Sequence, residues 1–229
     1  MDTNPLLALL HLSSPGLPIG GYSYSQGFET AVDLNIVHDE TSAGRWIEDQ
    51  LNLVMAPCEA PVWSLLFKAW SAEDLAGVCH WNDWFRASRE TRELRQETEQ
   101  MGWSLSKLAS DLDWGCDAAR SSLLQLKNIT LPAAHAFSAY ALEVEHDCAL
   151  SAYVFSWIEN QVMAAIKTVP LGQMAGQRIL NRSRQKIPAV IAQAAARAND
   201  TPPRLCSMAP QLAIMSSRHE TQYSRLFRS

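Results

Sequence analysis

The chain has 229 residues, 47% of them apolar and 19% charged, with a formal net charge of −5. That balance suits a globular chain with an ample core rather than a disordered one. The negative charge argues against general nucleic-acid binding, which needs a basic surface to neutralise phosphates. No run of about 18 apolar residues predicts a membrane span. The opening MDTNPLLALL lacks the basic flank and cleavage site of a secretory signal. The five cysteines, at 58, 79, 116, 148 and 206, form no CxxC pair and have no histidine at metal-ligand spacing. This pattern suits buried thiols in the cytoplasm.

In chain order, Leu6, Leu7, Leu9 and Leu10 predict a short opening helix. Ser14–Glu29, reading SPGLPIGGYSYSQGFE, follows it. Pro15, Gly16, Pro18, Gly20 and Gly21 specify a bent backbone path, because proline fixes φ and glycine permits positive φ. Two readings of this segment stand: a preformed surface presenting Tyr22 and Tyr24, or a buried interhelical loop held by tyrosine packing. Thr41 is a candidate N-cap for a helix through Trp46, Ile47, Leu51 and Val54 that Pro57 stops. Another helix runs from about Pro61 to Trp70. A long polar one covers roughly Ser88 to Ser110, with a narrow apolar line of Leu94, Met101, Leu105 and Leu108. Its many charges, Glu93 and Glu97 among them, predict a surface helix.

Residues 147–169 carry a broad apolar stripe through Leu150, Tyr153, Val154, Trp157, Ile158, Val162 and Ile166, which places this helix in the middle of the domain. Pro170 ends it. A further helix with Gly172 and Gly176 at GxxxG spacing, a signal of close helix approach, continues to about Ala198. Asn199–Arg204 reads as a turn, and Met208–Ser229 as a last helix and tail. With no strand pair, repeat or dividing linker, the pattern predicts an all-α, single-domain bundle of about ten helices.

The chain carries no phosphate-binding loop. GYSYSQG lacks both the glycine two residues before Ser25 and the preceding strand of a nucleophile elbow. The six histidines form no metal-binding spacing. His146, between Glu145 and Asp147, is the residual candidate, and a solvated helix junction explains it as well. No catalytic set, metal site or cofactor is therefore predicted. Glu159 and Lys167 lie on one helix face but about 12 Å apart, too far for an ion pair. Each needs another partner, in an internal network or on another protein. The terminal RHETQYSRLFRS combines arginine, tyrosine and phenylalanine. Ordering its backbone costs about 1–2 kcal/mol per residue, which predicts a tail flexible from about 217 that orders when a partner docks.

Taken together, LPIGGYSYSQGFE, TRELRQETEQMGWSL, AYVFSWIENQVMAAIKTVPLGQMAGQ and HETQYSRLFRS resemble the urease accessory protein UreF family along nearly the whole chain. The resemblance implies a cytoplasmic, all-helical, homodimeric protein that is not an enzyme. It would bridge UreD (also called UreH) and the GTPase UreG in the assembly that inserts nickel into apo-urease. Carried over residue by residue, Tyr22 and Arg225 are contact residues for the GTPase. Lys167 and Glu159 face a partner, Gly20, Gly21 and Tyr24 join Tyr22 as partner-binding residues of the loop, and His219, Glu220, Tyr223 and Arg228 help form the docking surface. The alternatives are action in trans on GTP hydrolysis through Arg225 or Lys167 and nickel carriage by Cys or His. In one departure, many relatives have a glycine and an apolar residue where this chain has Glu143–Val144.

Overall fold

Residues 4–229 are described by a computed structural model. Twelve α-helices succeed one another among them: α1 (Pro5–Leu12), α2 (Phe28–Asp33), α3 (Glu40–Gln50), α4 (Ala60–Ser71), α5 (Leu75–Ala87), α6 (Arg92–Asp111), α7 (Asp117–Gln125), α8 (Leu131–Ala141), α9 (His146–Thr168), α10 (Gln173–Arg184), α11 (Ile187–Asn199) and α12 (Pro210–His219). The described residues contain no strand, as the all-helical periodicity predicts. The apolar stripe of α9 does lie at the centre: Leu150, Val154, Ile158, Val162 and Ala165 are buried, and α1, α2, α3, α4, α8, α10 and α11 all pack against the helix. Met163, on the far side, is exposed.

Pro57 does not stop a helix. Pro57 and Pro61 cannot supply the backbone donors that an α-helix would direct at Leu53 O and Pro57 O. The chain widens instead into a π-helical stretch, Leu51–Glu59, whose end is marked by the Ala60 amide donating to Met55 O, five residues back. The two carbonyls left short also accept from a distant segment, Leu53 O from the Met208 amide at 3.4 Å and Pro57 O from the Cys206 amide at 3.1 Å. The segment entering α12 is thus stitched to the middle of the bundle by groups the prolines left free.

Other boundaries shift for local reasons. Asp39, not Thr41, caps α3: its Oδ1 accepts from the Ser42 amide at 2.7 Å while Ser42 Oγ accepts from the Asp39 amide at 3.0 Å, a reciprocal capping box. Helix α6 starts at Arg92 with Thr91 Oγ1 accepting from the Leu94 amide. It is not wholly a surface helix, since Glu93 and Glu97 are buried. Of the GxxxG pair, Gly176 makes the close approach: a Cβ there would collide with Ile166 of α9, whereas Gly172 caps α10 with nothing within 4 Å. The predicted helix to Ala198 is two helices, α10 and α11, parted at Gln185–Lys186. Glu143 takes a positive φ of 56° just after α8, a conformation that favours glycine.

The segment from about 217, expected to be flexible, has a defined path in the structure. Residues 217–219 complete α12, and residues 220–229 fold back across α2 and α6 as a strap whose Phe227 and Ser229 are buried. Its own polar groups, described below, recover the ordering cost that the sequence reading had assigned to a partner.

Candidate docking site

The Pro/Gly/Tyr loop, the first half of α6, the second half of α9 and the strap meet at one place. Leu17 anchors the loop in the core. Gly20 (φ +78°) and Gly27 (φ +75°) supply the left-handed bends around a single 3-10 turn, Gly21–Ser23. Gly21 sits over the methyl of Met101, where a Cβ would come within 3.3 Å. The turn points Tyr22 outward, 63% exposed, and Tyr24 inward, with Tyr24 O accepting from Asn160 Nδ2 of α9 at 3.1 Å. Gln26, also at positive φ, accepts from Trp157 Nε1 at 2.8 Å through Oε1 and donates to Glu97 Oε1 at 2.7 Å. The two tyrosines thus differ, Tyr22 in solvent and Tyr24 packed inside.

The strap is fixed by carboxylates that the motif pattern did not single out. Glu29, the last residue of the loop motif, accepts from the Leu226 amide at 2.7 Å and the Phe227 amide at 3.0 Å. His219 is fully buried, with Nε2 3.2 Å from Glu29 Oε2 and Nδ1 2.7 Å from Glu93 Oε2. Glu93 Oε1 also accepts from Arg225 Nη1 at 2.8 Å, and Glu220 Oε1 accepts from the Arg92 amide at 3.0 Å, filling the N-terminus of α6. The Arg228 amide donates to Ser23 O at 2.8 Å. Ser229 O accepts from both the amide and the hydroxyl of Ser25 at 2.6 Å, and Ser229 Oγ donates to Glu97 Oε2 at 2.7 Å. Burial, then the Glu97 charge, raises the Tyr24 hydroxyl pKa, and the facing Arg228 guanidinium opposes the shift.

The predicted site residues therefore divide. Tyr22, Lys167 and the strap come together: Lys167 Nζ stands 5.9 Å from the Tyr22 ring centre and 5.4 Å from that of Phe227, a cation between two aromatic faces. Tyr223 is fully exposed, and the side chains of Arg225 and Arg228 reach the surface from tethered backbone. His219 and Tyr24 are buried and support the site rather than form its surface, and Glu220 serves α6. Glu159 is half-buried on α9, its carboxyl raised by desolvation, and it does not join Lys167. Glu29, Glu93 and Glu97 were missed as site residues. Their only sequence signal is acidic residues inside motifs whose neighbours are core, such as Phe28, Leu94 and Met101.

Elsewhere, His146 Nδ1 is 2.7 Å from Asp147 Oδ1 and its ring packs edge-on against Trp63 and Phe67. Among the described residues no group of three or more His, Cys, Asp or Glu side chains could hold a metal ion, and no helix is long and apolar enough to cross a membrane. An all-α fold that uses its clustered charges to tie loop to strap, and leaves aromatic and cationic side chains in solvent, has the build of a helical accessory protein. The family model for UreF matches residues 37–184, and the chain belongs to the UreF family of urease accessory proteins. It is 62% identical over 220 residues to the urease accessory protein UreF of Bordetella parapertussis, covering 96% of this chain and all of that one. Identity to UreF of Cupriavidus necator is 56% over 224 residues, covering 98% and 97% respectively. Against the bifunctional urease accessory protein UreEF of Bordetella bronchiseptica it is 62% over 229 residues, the whole of this chain but 53% of that longer protein.

Proposed function

We propose that the chain acts in urease maturation as a non-catalytic, cytoplasmic homodimer that bridges UreD/UreH and the GTPase UreG while nickel enters apo-urease. The observation that carries this reading is the convergence of three separated motifs on one spot, where exposed Tyr22 and Lys167 stand over the buried ring of Phe227. Tyrosine gives large contact area at low entropy cost, and a cation beside it adds charge recognition, the composition of an interface anchor. A two-fold dimer would display the patch twice.

Replacing Tyr22 or Lys167 by alanine is expected to weaken binding of the GTPase or of UreD by about 30-fold, or about 2 kcal/mol, with thermal stability nearly unchanged. Titration calorimetry with each purified partner reads this directly. Wild-type affinity for both partners in both variants would contradict the assignment. A second reading, action in trans on GTP hydrolysis, is favoured at Lys167 rather than Arg225. Arg225 is engaged by Glu93, whereas among the described residues no carboxylate pairs with Lys167. A GTP hydrolysis rate that Lys167→Ala leaves unaltered removes that reading and retains the scaffold.

A further inference from the structure

The strap closes over a carboxyl group. Glu97, on the inward face of α6, is 6% exposed, and both its oxygens accept neutral hydrogen bonds, from Gln26 Nε2 on the loop and Ser229 Oγ on the strap, each at 2.7 Å. Among the described residues no cation forms an ion pair with it. The other charged or titratable groups around it are Glu59, which adds negative charge from the end of the π-helical stretch, Arg89 from the turn before α6, which opposes that charge, the Tyr24 hydroxyl from the loop, and the buried Tyr153 hydroxyl from α9, which donates to Glu59. Farther along the strap, His219 lies between Glu29 and Glu93, Arg225 engages Glu93, and Arg228 faces Tyr24. Tyr24, Glu97 and Arg228 also line an open groove of about 490 Å³ beside α6. Lifting residues 228–229 would therefore admit water to Glu97 from the groove and leave the helical core in place.

We propose that the C-terminal strap is a proton-operated latch, closed over neutral Glu97 and released when that carboxyl ionises. Closure removes the group from water and gives it no ion-pair partner, which disfavours its charged form by more than the hydrogen bonds from Ser229 and Gln26 favour it; release returns it to solvent and separates Phe227 from Lys167 and Tyr22. Burial pushes the closed-state carboxyl up from 4.5 to about 7. A raised carboxyl pKa favours the closed form fully at low pH. That advantage is lost as pH rises through the interval between the two values, by about tenfold in the closed-to-open ratio per pH unit, and little further loss follows above about 7. The proposal concerns the chain alone and stands whether or not the partner assignment does.

The test is amide hydrogen exchange of the intact chain from pH 5 to 8, as protection factors corrected for intrinsic exchange. Amides 226–228 are compared with those in the middle of α9. The latch predicts that strap protection falls about 40-fold between pH 5 and 7 and less than about twofold more by pH 8 while α9 stays constant, and that Glu97→Gln flattens the profile to within about threefold. Strap protection that tracks α9 throughout in the wild type overturns the proposal without any variant. A fall of equal size in Glu97→Gln overturns it too, by assigning the proton elsewhere.

Discussion

Replacing Glu29 by alanine is expected to lower stability by about 3–5 kcal/mol, the largest effect of any single polar side chain in the site. Glu29 is buried, and one carboxylate accepts from two backbone amides at the far end of the chain, Leu226 and Phe227, and lies 3.2 Å from His219 Nε2. Truncation strands two backbone amides and an imidazole at the strap's inner surface, and each buried donor left unmade costs about 1–3 kcal/mol. At about 2–4 °C per kcal/mol for a chain of this size, the midpoint of thermal unfolding should fall by about 10 °C or more. Glu29→Gln keeps the shape and one acceptor oxygen and should lie between the two. Scanning calorimetry decides the matter: a drop below about 2 °C in the alanine variant would mean that water replaces the lost acceptor and that the strap is not held here.

Gly102→Ala should cost about 3 kcal/mol, reversing the usual sign. In an exposed helix interior, alanine in place of glycine gains about 1 kcal/mol. Gly102 instead lies where α6 crosses the segment leading into α8. A Cβ there would meet the carbonyl oxygen of Ile129 and, at 2.5 and 2.8 Å, the carbonyl carbon and oxygen of Thr130. Backbone cannot swing aside as a side-chain tip can. This backbone is moreover pinned, by the Thr130 amide donating to Asn82 Oδ1 at 2.8 Å and the Leu131 amide donating to Thr98 Oγ1 at 3.1 Å. The strain must be taken up by moving α6 off α8. Gly172→Ala is the matched control, since nothing lies within 4 Å of its Cβ position, and it should change stability by less than about 0.5 kcal/mol. Chemical denaturation of the two variants side by side distinguishes steric from generic glycine effects.

What could be read in the sequence was what depends on neighbours along the chain. The stripe of α9 and the apolar run of α4 follow from periodicity, and both helices are found where it puts them. What escaped depends on residues far away. Pro57 looks like a terminator and Pro61 like the start of a new helix until the amides of Cys206 and Met208 arrive to use the carbonyls they leave free. Glu93 and Glu97 look like the solvated side of a polar helix because a carboxylate is ordinarily exposed. Only the return of the strap, with His219, Arg225 and Ser229, makes their burial tolerable. Asp39 and Thr41 are both competent caps, and the reciprocal bond with Ser42 decides between them. For the candidate site, the motifs named residues that converge in space but did not tell those facing solvent from those facing inward. Tyr22 and Lys167 are exposed together, whereas His219 and Tyr24, equally prominent in the motifs, face inward.

Whether loop and strap act as one docking surface around Lys167 is decided by a double-mutant cycle on partner affinity, with Tyr22→Ala, Lys167→Ala and the double variant each titrated against the purified GTPase and against UreD. The stacked arrangement predicts, for at least one partner, a coupling energy of about 1 kcal/mol, so that the double variant loses less than the sum of the single losses. Strict additivity, or unchanged affinity in all three, would contradict it.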